Sequence, residues 1–286
     1  MSTEHPVCFY HVADLDGKCS GAIVNKALKG DVELYGYDYG WPFPWGKVFG
    51  RDVIMVDVSL QPASDMLKLA SEAKSFTWID HHKSAIEEAD KLGLQADGVR
   101  KVGLAACELC WRYYFPDSRM PLAVELLGRY DVWDHSNPDA LPFQYGARLK
   151  LPDACHTYWS EVLVSVGACA VDPIISDGRL ILAYETEQNR KRAGALAFET
   201  QIDGLRAIAA NVGLTNSQLF DSVWDPERHD VMMPFYRSKK GYWTVSIYST
   251  KPEIDCSVVA KAHGGGGHKG AAGFQCAELP FSLTAE

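Results

Sequence analysis

Three short apolar runs, each ending in residues that bind metals, constrain this chain more than any other feature of it. Val7-Cys8-Phe9-Tyr10 leads into His11, Asp14 and Asp16, and Val53-Ile54-Met55-Val56 leads into Asp57. Phe76-Thr77-Trp78-Ile79 leads into Asp80-His81-His82. Runs this short fit strands buried on both faces, as in a parallel sheet covered by helices. Open sheets of that kind gather their chemistry at the carboxyl ends of the strands. The three runs therefore predict a fold and a site together.

The segments between the runs supply the other elements. A further strand is predicted over 32–37, with helices over 20–28, 62–72, 84–91, 105–115 and 121–130, so residues 1–135 read as βαβ units. Pro138, Pro142 and Pro152 break 136–172 into short pieces. An amphipathic stretch over 174–199 predicts a connector helix. Strands over 206–211, 231–236 and 242–249 follow, the last two forming a hairpin about Lys240-Gly241. The expected class is α/β: a mainly parallel sheet flanked by helices, with a second, smaller α/β domain carrying a mixed sheet. The expected domains are 1–175 and 200–286, joined through 176–199.

Composition removes several function classes. A chain of 286 residues, 47% hydrophobic and 23% charged, can bury two ordinary cores. No apolar run approaches the roughly 20 residues needed to cross a bilayer. The opening Met1-Ser-Thr-Glu-His lacks the basic and apolar regions of a secretion signal. The eight cysteines form no framework, and Cys107 and Cys110 sit in a helical pattern as core thiols. The expectation is a cytoplasmic protein with no membrane partner. A net charge of −9 argues against gripping long duplexes by phosphate neutralisation. Short nucleic acids and small phosphates remain, because part of that charge is the proposed metal site.

Taken singly, the acidic residues have plain roles: turn caps for Asp14 and Asp16, a helix N-cap for Asp57, a helix-end carboxylate for Asp131. Asp134 and His135 stand beside Asp131 as decoys or supporting partners. Gly17 offers the backbone freedom that lets Asp14 and Asp16 converge, ahead of a helix opening at Ser20. Taken together, several carboxylates within about 5 Å repel by about 3 kcal/mol per pair at an effective dielectric of 20. Divalent cations relieve such repulsion. Many oxygens with a few imidazoles suit Mn²⁺ or Mg²⁺ better than zinc. A carboxylate shared by two ions about 3.5–4 Å apart is the two-metal arrangement for in-line attack on phosphorus. In the second domain, the glycines at 264–267 read as an anion cradle running toward a helix N-terminus, with His268 and Lys269 adding donors. The aromatic segment over 35–45 reads first as rings packing a proline-rigid loop, and second as a base-stacking surface.

In combination these residues resemble the DHH phosphoesterase superfamily, which includes oligoribonuclease, RecJ-like and exopolyphosphatase-related proteins. Asp80-His81-His82 is similar to its eponymous motif, Asp14-Leu-Asp16-Gly17 to its first, Asp57 to its second and Asp131 to its fourth. Residues 264–274, with Asp255-Cys-Ser257 upstream, are similar to the glycine-histidine motif of its C-terminal associated domain. The resemblance implies two Mn²⁺ per chain, with Mg²⁺ as the alternative. One would be held by His11, Asp14 and Asp57, the other by Asp16, Asp57, His81 and Asp131, with Asp57 bridging. It implies Asp80 as the group orienting the imidazoles, and His82 and Asp57 as catalytic residues, His82 facing the substrate phosphate. Gly265, Gly266, Gly267, His268 and Lys269 would bind substrate, with Tyr248.

Two departures bear on this pattern. His11 lies three residues before Asp14, a spacing that differs from that of relatives. Tyr248 stands where many nuclease-like members have arginine; it can donate one hydrogen bond or stack on a base, but lacks the bidentate fork. The expected function is metal-dependent hydrolysis of a phosphodiester in short single-stranded oligonucleotides or small nucleotides. The alternative is a phosphoanhydride or phosphomonoester hydrolase acting on polyphosphate, pyrophosphate or a nucleotide bisphosphate. A non-catalytic phosphate sensor would show loss of a metal ligand, which the motif positions do not. A homo-oligomer is compatible with all three.

Overall fold

Side-chain alternation along the central strands sets the layering of the first unit. In the computed structural model, which describes residues 5–134, 136–164 and 168–283, the chain divides into two compact units, 1–182 and 183–286. The first contains β1 (Val7–His11), α1 (Leu15–Ala27), β2 (Glu33–Tyr37), β3 (Asp52–Val56), α2 (Ser64–Glu72), β4 (Ser75–Ile79) and α3 (Lys83–Lys91). These are followed by α4 (Ala106–Tyr114), α5 (Leu122–Asp131), α6 (Ala140–Lys150), α7 (Trp159–Val162) and the start of α8 (Asp172–Leu196). All strand pairings are parallel, in the order β2-β1-β3-β4. Cys8, Tyr10, Ile54, Val56 and Ile79 enter the core beneath α1, α4 and α5, whereas Phe9, Val53, Met55 and Trp78 enter the core shared with α2. Both faces are buried, which is why the strands read as unbroken apolar runs.

The strand order positions the site. From β1 the chain steps to β2 on one side and then returns to β3 on the other, so the order reverses between β1 and β3. The crevice outside such a reversal is where open α/β sheets bind ligands. His11 ends β1 and Asp57 follows β3, on either side of it.

Several boundaries differ from the sequence expectation. The first helix starts at Leu15, not at Ser20, because Asp14 caps it by accepting from Gly17 N at 2.9 Å. Gly17 thus lies inside α1, and its role is close approach, not turning: a Cβ there would sit 2.1 Å from the His11 carbonyl oxygen. Residues 136–172 are not all short pieces, since α6 runs 11 residues; Pro142 falls in its first turn, where its missing N–H costs nothing. His135 lies outside the described residues. The predicted connector helix ends at Leu196, and Ala197–Ile202 forms β5 instead, pairing antiparallel with β6 (Leu205–Asn211). Cys107 and Cys110 are buried in α4 as core thiols, and burial raises both above the ordinary thiol range. No helix among the described residues is long and apolar enough to cross a membrane.

The second unit is a mixed sheet. After β5 and β6 come β7 (Val231–Arg237), β8 (Trp243–Tyr248), α9 (Cys256–Ala262), β9 (Gly266–Gly267) and β10 (Ala271–Cys276), in the order β5-β6-β7-β8-β10-β9. β7 and β8 pair antiparallel, closed by Gly241 N donating to Ser238 O. The glycine-rich run does not lead into a helix. It ends one: Gly264, at φ +78°, donates to Lys261 O and Gly265 N donates to Ala260 O, a Schellman closure of α9. The run then forms the β9–β10 hairpin, in which a Cβ on Gly265 would sit 2.1 Å from Gly273 O. The small residues are explained by that close approach.

Candidate metal centre

Five elements converge at the reversal: β1, α1, β3, β4 and α5. β1 ends in His11, whose Nδ1 lies 2.7 Å from Asp14 Oδ2 and 3.5 Å from Asp57 Oδ2. β4 ends in Asp80-His81-His82, and His81 Nε2 lies 3.3 Å from Asp57 Oδ1, 3.7 Å from Asp16 Oδ2 and 3.4 Å from Asp131 Oδ2. Three overlapping sets result, each with ligand atoms within 4.8 Å of one another: His11, Asp14 and Asp57; Asp57, His81 and His82; Asp16, His81 and Asp131. Asp57 belongs to two of them, one oxygen facing His11 and the other His81.

Asp57 is not a helix cap. It adopts φ +59°, a left-handed conformation uncommon for a residue with a side chain, and its N–H donates to Ile79 O at 3.0 Å. It is 1% exposed, and neither carboxylate oxygen has a hydrogen-bond partner. A buried carboxylate without a donor is costly. Burial first, and then the charges of Asp16 and Asp14, raise Asp57 well above the ordinary carboxylate range. Asp131, the last residue of α5, is raised by burial and then by Asp16 and Asp57. Burial alone would lower His11, but Asp14 and Asp57 outweigh it and raise the imidazole to about 11. Oxygen-rich sets that repel one another around an orphaned carboxylate fit divalent cations of the Mn²⁺ or Mg²⁺ type.

Asp16 and Asp80 are fixed from behind. Asp16 Oδ2 accepts from Ala106 N at 2.8 Å and its Oδ1 accepts from Cys107 N at 2.7 Å, so the carboxylate also closes the N-terminus of α4. Asp80 is fully buried; its Oδ1 accepts from His81 N, His82 N and the His82 ring at Nδ1, 2.8 Å away. Of the two imidazoles, the one this carboxylate orients is therefore His82. Burial opposes both charges of that pair, yet the contact holds Asp80 below and His82 above their ordinary ranges.

Sequence reasoning passed over three neighbours. Trp78 Nε1 donates to Asp80 Oδ2 at 3.1 Å, a role invisible within an apolar run. Asp38 Oδ1 lies 3.4 Å from His11 Nε2. It follows β2, so the rule that drew attention to Asp57 could have found it. Tyr39 packs edge-on against His11, ring centroids 5.7 Å apart. Much of the rest of that aromatic segment packs internally, with Phe43 against Phe9, Tyr37 and Trp45 at 4.8, 5.4 and 4.9 Å, whereas Trp41 is 52% exposed.

The remaining candidate residues belong to the second unit. Tyr248 ends β8 and packs on the cluster of Ile208, Phe220 and Met232. His268 and Lys269 are exposed at the β9–β10 turn, where His268 N donates to Ala271 O. Gly266 and Gly267 form the strand leading to it, and Gly265 precedes them at the close of α9.

A four-stranded parallel sheet carrying this constellation, followed by a mixed six-stranded sheet, is the two-domain α/β fold of DHH-domain proteins. Three solved structures share it. The DHH domain of a member of a family of ribosomal proteins matches at TM-score 0.59 with 15% identity, over 95% of this chain and 82% of that one. A pGpG-specific phosphodiesterase, PggH, from Vibrio cholerae matches at 0.54 with 12% identity, over 95% and 92%. An exopolyphosphatase-related protein from Bacteroides fragilis matches at 0.53 with 13% identity, over 97% and 88%. By sequence, an uncharacterized protein of Acanthamoeba polyphaga mimivirus is 23% identical over 253 residues, 84% of this chain. The chain spans 56% of that relative's length. No family model matches.

Proposed function

We propose that this chain is a divalent-metal-dependent phosphohydrolase that cleaves a phosphodiester in short single-stranded oligonucleotides or small nucleotides. The observation that carries the reading is Asp57: buried, without a hydrogen-bond donor, one oxygen toward His11 and the other toward His81. His11, Asp14 and Asp57 would hold one cation, and Asp16, Asp57, His81 and Asp131 a second, with Mn²⁺ the preferred ion. When bound, such cations supply an acidified water and neutralise phosphate charge.

The chain's own residues do the positioning. Asp80, held by Trp78, fixes His82 through Nδ1, so the phosphate contact assigned to this ring falls to Nε2. Asp80 also keeps the ring more basic than an ordinary imidazole, which favours donation to an anionic oxygen. Asp16 fixes its carboxylate on the first N–H groups of α4 and so sets the distance to His81. His268 and Lys269, with Gly265, Gly266 and Gly267, are assigned to the substrate phosphate, and Tyr248 to a hydrogen bond or base contact. The names of two structural neighbours, a pGpG-specific phosphodiesterase and an exopolyphosphatase-related protein, are both compatible with such a site.

Purified chain with Mn²⁺ should release nucleoside monophosphate from a panel of di- to pentanucleotides and cyclic dinucleotides, and lose that activity with chelator. Inorganic phosphate released from polyphosphate, pyrophosphate or nucleotide bisphosphates, with the oligonucleotides untouched, would decide for the anhydride or monoester reading. The absence of arginine at Tyr248 is the observation on that side.

A further inference from the structure

His11 and His81 do not present the same nitrogen to the metal centre. His81 turns Nε2 toward Asp57, Asp131 and Asp16, at 3.3, 3.4 and 3.7 Å. His11 turns Nδ1 toward Asp14 and Asp57, at 2.7 and 3.5 Å. The chain dictates that choice: Asp14 lies three residues on, and Nδ1 is the ring nitrogen nearer the main chain. The short His11–Asp14 spacing is thus met by the near nitrogen, which leaves Nε2 facing Asp38 Oδ1 at 3.4 Å.

Asp38 is placed there by the sheet. β2 runs parallel to β1 with Tyr37 opposite His11, so Asp38 follows β2 at the level of the imidazole. Val12 N donates to Tyr37 O at 3.1 Å, which holds the two strand ends together. The carboxylate is fixed in turn: Asp38 Oδ1 accepts from Tyr39 N at 2.8 Å, and Trp41 N donates to Asp38 O at 3.2 Å. Tyr39 also packs edge-on against the same imidazole. At 3.4 Å the contact between Asp38 and His11 is an ion pair, and a shift of a few tenths of an ångström makes it a hydrogen bond. A ring nitrogen that gives its lone pair to a cation carries no proton, so a His11 ligating through Nδ1 holds its proton on Nε2. Metal-bound imidazoles generally donate that second N–H to a carboxylate or a carbonyl, which fixes the tautomer and the orientation of the ring. Asp38 is the carboxylate that stands there.

We propose that Asp38 is a positioning residue of the metal centre, accepting a hydrogen bond from His11 Nε2 and so committing Nδ1 to the cation shared with Asp14 and Asp57. It does for His11 what Asp80 does for His82, with the two ring nitrogens exchanged. The proposal rests on the reading of His11, Asp14 and Asp57 as a cation site.

The test is equilibrium titration of the metal-stripped chain with Mn²⁺, as wild type, D38A, D38N, H11A and the double variant D38A/H11A, with melting temperatures recorded for each. D38A should weaken one of the two ions by about 10- to 100-fold, the usual cost of removing such a partner, and leave the other unchanged. D38N keeps a carbonyl acceptor and should restore most of the affinity. In the H11A background D38A should cost nothing further, a result that a general structural or charge role for Asp38 would not give. A second readout is the nitrogen NMR spectrum of the His11 ring in the Mg²⁺-loaded wild type, which should show the proton on Nε2 and Nδ1 as the ligated nitrogen. Should D38A melt well below wild type, that spectrum decides alone. Two ions bound equally by wild type and D38A, a loss of the same size in the H11A background, or a ring proton on Nδ1 overturns the proposal. Fewer than two ions in wild type instead contradicts the metal-centre reading, and the proposal falls with it. None of these readouts requires turnover, so the phosphodiesterase reading is tested separately.

Discussion

Replacing Asp57 by asparagine should stabilise the metal-free protein at neutral pH while removing its response to metal. The substitution keeps the shape of a side chain that is 1% exposed and removes its charge. The Asp14 ligand atom lies within 4.8 Å, which at an effective dielectric of 20 corresponds to about 3.5 kcal/mol of repulsion. Asp16 and Asp57 both approach His81 Nε2, at 3.7 and 3.3 Å, so their oxygens are within about 7 Å and add about 2.4 kcal/mol. Attraction to a protonated His11 at 3.5 Å returns about 4.7 kcal/mol. The balance is about 1 kcal/mol against the charge before burial is counted, and burial adds to it.

The pH dependence has a definite sign. The folded-state pKa of Asp57 is raised, so its contribution is intact below the unfolded value of about 3.9 and is lost as pH rises toward the folded one. In chelator, D57N and wild type should therefore unfold alike near pH 4, with D57N melting about 2–4 °C higher at pH 7. Adding Mn²⁺ should reverse the order, since each site filled at a hundred times its dissociation constant contributes about 2.7 kcal/mol to wild type. Thermal unfolding across pH, with chelator and with Mn²⁺, reads all three effects. A D57N chain that is less stable than wild type in chelator at pH 7, or that keeps the full Mn²⁺ shift, would refute the reasoning.

Three further outcomes follow from named contacts. Gly17→Ala places a Cβ 2.1 Å from His11 O, so it should destabilise the fold by about 3 kcal/mol and weaken Mn²⁺ binding, seen by unfolding and metal titration. Trp78→Phe removes the indole donor to Asp80 and should lower turnover about tenfold or more with metal content unchanged, measured by kinetics and metal analysis. His268→Ala should raise KM for the phosphate substrate and leave metal stoichiometry intact; altered stoichiometry would make His268 a ligand.

The first unit was legible because its central strands are buried on both faces, so each appears as an apolar run with its functional residue next in sequence. Where a residue acts through position in space, the signal weakens. Asp16 holds the first turn of α4, some ninety residues away, and nothing local announces it. Trp78 reads only as an apolar strand residue, although its indole nitrogen supports Asp80. The glycine-rich run misled in a specific way. Consecutive glycines suit an anion cradle, a helix C-terminus and a close-packed hairpin alike, and here the last two account for Gly264 and Gly265. Pro142 misled by rank: the residue that breaks a helix interior is harmless in the first turn of α6.

The most direct test of the account is the number of cations that the chain binds. Equilibrium titration of metal-stripped wild type should show two Mn²⁺ per chain, and D57N should lose at least one of them. One ion or none in wild type, or two retained in D57N, would contradict a pair of cations sharing Asp57.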